Sequence, residues 1–394
     1  MGLTKERHEK MLNGKKIFIS AGEPSADFLG GQLIKQLKIL DHTVSIMGIG
    51  GIHMQQQGLK SLFPMAQLSL MGLFEVLPHL FSIHKLLNET VEAIEREKPD
   101  VVVTIDAPGF NFVLAKRLRK RLGAQIKLVH YVAPSVWAWK PKRAQKIAKL
   151  YDHLLTLFPM EPPYFEKYGL ATTFIGHPLI ELGIKNIAFA PFRHAHNIPD
   201  HSPILCVLPG SRKAEVERLL LIFKETIARL ALKEPDLRVV VPTLPQFHHI
   251  LEKATASWAV PTLVTSDVTE KYQAMRSGRV ALAASGTVAL ELAMAKIPMV
   301  ITYKMNALTV WIAKRLIKVP YVCLVNILLG RRSVPELLQG DCRPSRLSEV
   351  LSYLMEDTPC RREQKNDLTE MVAMLTTGES PSLLAARIIM EQGI

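Results

Sequence analysis

The sequence predicts an α/β protein of two Rossmann-like, doubly wound domains that face a cleft, and three observations support this fold class. The chain has 394 residues, more than one hydrophobic core usually holds. Short apolar, β-branched runs alternate with amphipathic helical patterns, which is typical of parallel sheets. The irregular stretch at residues 178–203, with its four prolines, interrupts this alternation, so we expect a domain boundary there.

The first domain is predicted over residues 1–178. One of its helices, Phe28–Leu40, has leucines every three or four residues, which gives a single buried stripe. Its strands are predicted at Lys16–Ala21, Thr43–Met47, Val101–Ile105, Lys127–Val132 and Leu154–Leu157.

The second domain is predicted over residues 179–344 and repeats the same alternation. Two open parallel sheets in tandem bind ligands at the carboxyl ends of their strands, in the cleft between the domains. The predicted strands are Ile204–Leu208, Leu237–Val241, Arg279–Ala283 and Met299–Tyr303.

Composition and charge exclude several classes of protein. Apolar residues make up 48% of the chain and charged residues 22%, which excludes a disordered chain. The four cysteines lie far apart without a CxxC pair, so we expect neither a zinc site nor a disulfide framework, and a reducing cytoplasm fits. The longest uncharged apolar stretch, Ser61–Phe74, is too short to span a bilayer.

The formal net charge of +13 indicates an anionic partner. Nucleic acid, acidic lipid and a phosphorylated substrate would each be a suitable anionic partner. The basic clusters lack the interleaved aromatic residues of RNA-binding motifs and show no helix-turn-helix pattern, so we favour lipid or phosphate and expect no nucleic acid.

Three polar side chains follow the first predicted strand. Glu23, Ser25 and Asp27 crowd the turn between that strand and the next helix. The turn is neither a GxGxxG fingerprint nor a Walker A loop, so it lacks the motifs that usually bind NAD and ATP. A ligand-binding role and helix capping by Ser25 or Asp27 account for these residues equally well.

Asp106 is the predicted catalytic base. It ends the strand Val101–Ile105, and a carboxylate at that edge of a parallel sheet can accept a proton from a sugar hydroxyl. The alternative is a turn-capping aspartate in front of Pro108.

Two tryptophans, Trp137 and Trp139, lie on a loop beside a basic run. Paired indoles next to lysines suit a ligand with an apolar body and a phosphate head. Core packing is the alternative, and we expect it for one of the two.

Two turns of the second domain suit a diphosphate. Ser211 and Arg212 follow a strand and offer backbone N–H groups with an adjacent guanidinium. The second turn opens a helix whose Glu291 can accept hydrogen bonds from a ribose diol; it contains Ser285, Gly286 and Thr287. The alternative for each turn is a helix cap.

Taken together, these motifs resemble the lipid-A-disaccharide synthase family of inverting glycosyltransferases with the GT-B fold. The resemblance runs through nearly the whole chain. Its motifs are AGEPSAD at Ala21–Asp27, GIGG at Gly48–Gly51, IDAPGFN at Ile105–Asn111, HYVAPSVWAWK at His130–Lys140, GHP at Gly176–Pro178, LPGSR at Leu208–Arg212, SGTVALE at Ser285–Glu291 and NILLGRRSVPELLQ at Asn326–Gln339.

The chain departs from the family pattern at three positions. Ala26 replaces a usual glycine and Ala133 a usual serine, both with little change in size. Gly109 stands where an aspartate is common, which removes a carboxylate next to Asp106. We therefore expect a single base.

The resemblance implies transfer of 2,3-diacylglucosamine from UDP to the 6-hydroxyl of 2,3-diacylglucosamine 1-phosphate, with inversion to a β-1,6 linkage in lipid A biosynthesis. It implies no metal and no cofactor, in agreement with the lack of a DxD motif. Asn111 joins the acceptor side, whereas Asn326 and Glu336 would complete the UDP side. The alternatives are a turn residue for Asn326 and a surface charge for Glu336.

The resemblance also implies an architecture and a location. The first domain would bind the acceptor and face the membrane, and the second would bind the UDP-sugar. Helices within residues 345–394 would pack back on the first domain. The protein would be cytoplasmic and peripheral on the anionic inner membrane of a Gram-negative bacterium, with a homodimer as a further expectation.

The segment Leu68–Leu87 is the predicted membrane-docking element. It carries few charges, contains Pro78 and has more apolar residues than one buried face needs. The alternative is a core helix with a proline bend. The predicted docking residues are Leu70, Leu73, Phe74, Leu77 and Leu80.

Two other functions remain open at this point. Another UDP-sugar GT-B enzyme or an epimerase acting on a soluble sugar would share the second-domain motifs. A non-catalytic, basic protein that binds membranes or nucleic acid would share the charge.

Overall fold

The computed structural model describes residues 14–69, 76–306 and 319–392, which form two compact units. The first unit reaches Pro178 and resumes at Leu375, and the second is Leu179–Met374. Each unit contains one six-stranded sheet whose paired strands are all parallel. Helices connect the strands, so the predicted α/β class with two Rossmann-like domains is confirmed.

The sheet of the first unit has the strand order β2-β1-β3-β4-β5-β6. Its strands are β1 (Lys16–Ala21), β2 (Ser45–Ile49), β3 (Val101–Ile105), β4 (Lys127–Tyr131), β5 (His153–Thr156) and β6 (Ala171–Phe174). Its first helices are α1 (Pro24–Leu40), α2 (Ile52–Gln56), α3 (Ala66–Ser69), α4 (Val76–Glu97), α5 (Pro108–Leu122), α6 (Arg143–Ala148) and α7 (Pro162–Glu166).

Strand β3 shows why this sheet is covered on both faces. All five of its residues are buried. Val102 joins one apolar cluster with Phe18 and Leu128, and Val101 joins another with Ile17 and Val129. Because successive side chains point to opposite faces, a continuous apolar run requires an apolar layer on each side of the sheet.

The sheet of the second unit has the strand order β12-β11-β10-β7-β8-β9. Its strands are β7 (Ile204–Leu208), β8 (Arg238–Pro242), β9 (Thr262–Thr265), β10 (Val280–Ala284), β11 (Met299–Tyr303) and β12 (Glu336–Leu338). Its helices are α8 (Ala190–Ala195), α9 (Lys213–Ala231), α10 (His248–Thr255), α11 (Val268–Ser277), α12 (Val288–Met294), α13 (Leu324–Leu329), α14 (Pro344–Met355) and α15 (Pro359–Met374), with 3-10 turns at Pro178–Leu182, Ile184–Asn186 and Pro245–Phe247.

The C-terminal helices divide between the two units. Leu347 and Leu351 of α14 pack into the same apolar cluster as Phe223 of α9, in the second unit. Only the last helix, α16 (Pro381–Glu391), belongs to the first unit, where Ile389 packs in the cluster that contains Leu33 of α1. The prediction that residues 345–394 pack back as a whole is therefore wrong for residues 345–374, because their apolar stripes complete the second core.

The predicted docking element is described only in part. Leu70, Leu73 and Phe74 lie outside the described residues, as do the side chains of Leu77 and Leu80 on α4. Within the described ranges, no helix combines the length and apolarity needed to cross a membrane.

Candidate active site

The two sheets each have one position where the strand order reverses. In the first sheet the chain continues from β1 to β2 on one side and to β3 on the other, and in the second sheet β7 lies between β8 and β10 in the same way. Ligands of open α/β sheets bind outside the carboxyl ends of the strands at such a position. Glu23 and Asp106 follow β1 and β3, and Ser211 and Ser285 follow β7 and β10.

Asp106 lies in a strained turn. Its φ is 43°, and that of Ala107 is 45°, so two consecutive residues other than glycine adopt the left-handed conformation. Such conformations cost about 1–3 kcal/mol each and persist where the surroundings enforce them. Asn111 supplies that constraint: its Nδ2 donates to the carbonyl oxygens of Asp106 at 2.8 Å and of Ile105 at 3.1 Å.

The Asn111 side chain is itself fixed by a hydrogen bond to its oxygen. It is fully buried, and its Oδ1 accepts a hydrogen bond from the Ser20 hydroxyl at 2.8 Å. The amide therefore positions the Asp106 turn, and the acceptor-side role of Asn111 stays a prediction.

Burial and a neighbouring carboxyl change the acidity of Asp106. Burial is the largest cause, followed by the negative charge of Glu23 and a side-chain hydrogen bond to it, and together they raise the pKa of Asp106 to about 7. A carboxyl group with that pKa can act as a general base near neutral pH. Sequence reasoning proposed Asp106 and Glu23 separately, and the structure brings them together.

A buried polar network lies behind the turn. The Thr104 hydroxyl is 2.7 Å from Nδ1 of His130 and donates to the Tyr151 hydroxyl at 3.0 Å. Tyr151 donates in turn to the backbone oxygen of Asn111 at 3.3 Å. Burial lowers the pKa of His130 to about 3, so this imidazole is neutral and supports the turn without adding charge.

Asp27 has a structural role. Its buried carboxylate accepts backbone hydrogen bonds from Gly51 at 2.7 Å, His53 at 2.9 Å and Met54 at 3.1 Å, at the start of α2. These bonds agree with the capping alternative, whereas the acceptor-side role of Asp27 stays a prediction. Ser25 is exposed in the first turn of α1.

The two tryptophans have different environments. Nε1 of Trp137 donates to the buried Glu161 carboxyl at 3.2 Å, which fixes the indole against the protein. Trp139 is 41% exposed, and the Lys140 ammonium lies 4.6 Å from its ring centroid. Trp139 and Lys140 therefore place an exposed apolar ring beside a positive charge, which suits a ligand with an apolar body and a phosphate head.

The second unit contains a cavity of about 390 Å³ at its switch point. Its lining includes the predicted residues Ser211, Ser285, Gly286, Thr287 and Glu291. These residues come from the turns after β7 and β10, so the structure brings the two predicted phosphate turns to one cavity.

Lys271 on α11 lines the same cavity and was missed by sequence reasoning. Its ammonium lies 2.5 Å from Oε2 of Glu291. This ion pair fixes the orientation of the Glu291 side chain, and Lys271 adds a cation to the cavity lining. No sequence pattern indicates this contact, because it depends on how α11 packs beside α12.

Arg212 follows the cavity-lining Ser211 in the chain but is not itself among the residues that line the cavity. Its side chain is 79% exposed and pairs with Glu215 at 3.1 Å. Glu215 also accepts a hydrogen bond from the Tyr303 hydroxyl at 2.9 Å. Gly210 has a φ of 118°, and a Cβ there would lie 2.8 Å from the Glu215 carboxylate, so the turn requires glycine.

Asn326 and Glu336 bond to each other and to nearby backbone groups, and neither is among the residues that line the cavity. Glu336, in β12, accepts backbone hydrogen bonds from Val322 and Cys323, each at 3.0 Å. Asn326 is buried and donates to Glu336 at 2.8 Å. The Ser285 hydroxyl donates to the Val322 oxygen at 3.2 Å, so Glu336 supports the segment that contacts this turn, and direct nucleotide contact by Asn326 and Glu336 stays a prediction.

Comparison with known proteins identifies the family. The model of the Lipid-A-disaccharide synthetase family matches residues 17–386. The chain belongs to the lipid-A-disaccharide synthetase family. Its relatives include a lipid-A-disaccharide synthase of Rhodospirillum centenum, 48% identical over 366 residues that cover 93% of this chain and 91% of the relative. That of Paramagnetospirillum magneticum is 46% identical over 379 residues, 95% and 97% of the two chains.

Solved structures agree with the GT-B fold at low sequence identity. The glycotransferase of kitacinnamycin aligns with a TM-score of 0.62 and 15% identity, over 97% of this chain and 99% of that chain. A UDP-GlcNAc 2-epimerase from Neisseria meningitidis, bound to UDP-GlcNAc, aligns with a TM-score of 0.59 and 13% identity, over 96% and 98%.

Family membership confirms the predicted enzyme class. The chain is a glycosyltransferase of lipid A disaccharide synthesis, and the alternatives of a soluble-sugar enzyme and a non-catalytic basic protein are not favoured. Among the described residues, no group of three or more His, Cys, Asp or Glu side chains is placed to hold a metal ion.

Proposed function

We propose that the two switch points divide the reaction between the two units of this glycosyltransferase. The cavity of the second unit binds the UDP portion of UDP-2,3-diacylglucosamine. The Asp106 turn of the first unit binds 2,3-diacylglucosamine 1-phosphate and removes the proton of its 6-hydroxyl. The pairing of one strained carboxyl turn with one cavity lined by both predicted diphosphate turns and by Lys271, each at a switch point, is the observation that carries the proposal.

The proposed chemistry is a direct displacement. The 6-hydroxyl oxygen forms a bond to the anomeric carbon of the donor while the bond from that carbon to the diphosphate oxygen breaks. UDP leaves with the electron pair, and the hydroxyl proton passes to the Asp106 carboxylate. Attack opposite the leaving group inverts the anomeric carbon to the β-1,6 linkage.

The second unit would stabilise the departing UDP. Lys271 lines the cavity, and Arg212 lies on its β7 turn with an exposed guanidinium, so two cations can offset the charge that develops on the diphosphate. The backbone N–H groups around Gly286 add further donors. Glu291, oriented by Lys271, would accept hydrogen bonds from the ribose diol.

We also propose that the enzyme works on the anionic cytoplasmic face of the inner membrane, where both acylated substrates reside. The net charge of +13 supports this, since anionic headgroups attract a basic protein. The exposed Trp139 beside Lys140 suits an interface of apolar and charged groups. Co-sedimentation with anionic liposomes should fall when Leu70, Leu73, Leu77 and Leu80 are replaced by Ser.

The division of roles is tested by one pair of variants. Asp106→Ala should bind UDP normally in isothermal titration but lose about two to four orders of magnitude in turnover, the usual range for general-base catalysis. Arg212→Ala should weaken UDP binding and slow transfer, because it removes a charge-assisted phosphate contact.

Each variant controls for the other. Near-normal turnover by Asp106→Ala would remove that residue from the mechanism. Unchanged UDP affinity and unchanged rate in Arg212→Ala would place the nucleotide away from this turn.

A further inference from the structure

We infer that Glu215 is a positioning residue for nucleotide binding, because its carboxylate fixes the exposed guanidinium of Arg212 beside the cavity of the second unit. The inference rests on the proposed function, in which this cavity binds UDP and Arg212 contacts the diphosphate. It adds the residue that gives Arg212 one orientation before the nucleotide binds.

The backbone places the two side chains next to each other at the switch point. Strand β7 ends at Leu208 and α9 begins at Lys213, so Arg212 directly precedes the helix and Glu215 lies in its first turn. Nη1 of Arg212 lies 3.1 Å from Oε1 of Glu215. Since Glu215 lines the cavity, this ion pair brings the guanidinium within hydrogen-bond distance of the cavity lining.

The two partners differ strongly in exposure. The side chain of Arg212 is 79% exposed, whereas that of Glu215 is only 14% exposed. A long, exposed arginine samples many rotamers, and a ligand that fixes it must offset the lost conformational entropy. A carboxylate that already holds the guanidinium in the free protein reduces this cost.

Other segments of the chain fix the Glu215 carboxylate. Its Oε1 accepts a hydrogen bond at 2.9 Å from the hydroxyl of Tyr303, the last residue of β11. Burial and the neighbouring Glu215 raise the pKa of Tyr303, so its hydroxyl keeps the proton and stays a donor. Its Oε2 packs on the β7 turn, since a Cβ on Gly210 would lie 2.8 Å from this oxygen. The carboxylate is therefore a fixed point to which Arg212 can bind.

The charges around the cavity give the ion pair a function. Among the described residues that line the cavity, Glu215, Asp267 and Glu291 are acidic and Lys271 is basic. An anionic diphosphate would be repelled by this excess of carboxylates, so it needs a further cation. The guanidinium of Arg212 has five N–H donors in a rigid fork, and the Glu215 contact through Nη1 leaves others for phosphate oxygens.

The test is a double-mutant cycle in which isothermal titration measures the Kd of UDP for the full-length protein. Glu215→Asp keeps the negative charge but shortens the side chain, so it should release Arg212 without changing the charge of the cavity. The Kd of UDP should rise about three- to fivefold, the upper range for an exposed ion pair. The same change in the Arg212→Ala background should leave the Kd unchanged, because no guanidinium remains to be positioned.

Two further variants separate positioning from a general effect on the fold. Glu215→Gln keeps the length of the side chain and an acceptor oxygen, so it should bind UDP more tightly than Glu215→Asp does. Glu217→Asp is the matched control: Glu217 is an exposed acid on α9 that pairs with Lys213 at 3.8 Å, and the change should leave the Kd of UDP unaltered.

Each remaining outcome decides against a different statement. An equal rise in Kd with and without Arg212 would overturn the inference, since Glu215 would then act on the fold or directly on the nucleotide. An unchanged Kd in Glu215→Asp, with UDP binding weakened in Arg212→Ala, would also overturn it and keep the proposed role of Arg212. An unchanged Kd in Arg212→Ala would overturn that proposed role, and the inference with it.

Tyr303→Phe covers the case in which Glu215→Asp does not fold. It removes the hydroxyl that fixes Oε1 of Glu215 but keeps the ring and the carboxylate. The Kd of UDP should rise about twofold when Arg212 is present and stay unchanged in the Arg212→Ala background. No rise with Arg212 present, or the same rise in both backgrounds, would overturn the inference.

Discussion

Replacing Asn111 with Ala should cost both stability and turnover, because one amide holds the catalytic turn. The side chain accepts from Ser20 at 2.8 Å and donates to the carbonyl oxygens of Asp106 and Ile105 at 2.8 and 3.1 Å. At about 1 kcal/mol for each of three buried bonds, the free energy of unfolding should fall by about 3 kcal/mol. Relaxation of the left-handed turn would also displace the carboxylate, and a 1 Å misplacement can cost about 100-fold in rate.

Urea unfolding and steady-state kinetics measure the two effects. Asn88→Ala, an exposed asparagine on α4, is the matched control and should change the free energy of unfolding by less than about 0.5 kcal/mol. Asn111→Asp keeps the acceptor for Ser20 but loses both donated bonds, so it should resemble Asn111→Ala in rate. A variant of Asn111 with normal stability and normal turnover would refute the positioning role.

Two further predictions concern stability. Deleting the residues after Leu375 removes α16, whose Ile389 packs in the core with Leu33, so the truncated protein should expose apolar surface and be insoluble; a soluble, active truncation would contradict this. Burial raises the pKa of Glu161 to about 7. The protonated side chain therefore stabilises the fold fully at pH values below the usual pKa of a glutamate, and this stabilisation is lost as the pH rises through about 7. This loss is on the order of 3 kcal/mol, and urea unfolding at about pH 5 and pH 8 should show a weaker pH dependence for Glu161→Gln.

The central strands and the edge strand β2 were predicted from sequence, and the edge strands β6, β9 and β12 were not. Runs such as Val101–Ile105 are apolar and β-branched throughout, because both faces of a central parallel strand are buried. The strands β6, β9 and β12 are short and lie at or near sheet edges, where Ala171–Phe174 and Thr262–Thr265 carry two threonines each. Such segments depend on the neighbouring strand for their conformation, so their own sequence predicts them poorly.

The candidate site, too, could be predicted from the sequence only in part. Asp106, Ser285 and Glu291 were identified because polar residues that closely follow a buried parallel strand lie at the edge of the sheet where ligands bind. The partnership of Glu23 with Asp106 and that of Lys271 with Glu291 arise from tertiary packing, which no local pattern encodes. Asn111, Asp27, Asn326 and Glu336 belong to recognisable motifs, and the structure shows in addition that their side chains bond to backbone groups next to the site.

Mass spectrometry of the reaction products tests the central claim most directly. The purified enzyme is incubated with UDP-2,3-diacylglucosamine and 2,3-diacylglucosamine 1-phosphate, and in parallel with UDP-N-acetylglucosamine as a soluble donor. We predict the diacylglucosamine disaccharide 1-phosphate and an equal amount of UDP from the acylated pair, with little product from the soluble donor. Transfer or epimerisation of the soluble sugar, without coupling of the acylated pair, would contradict the account.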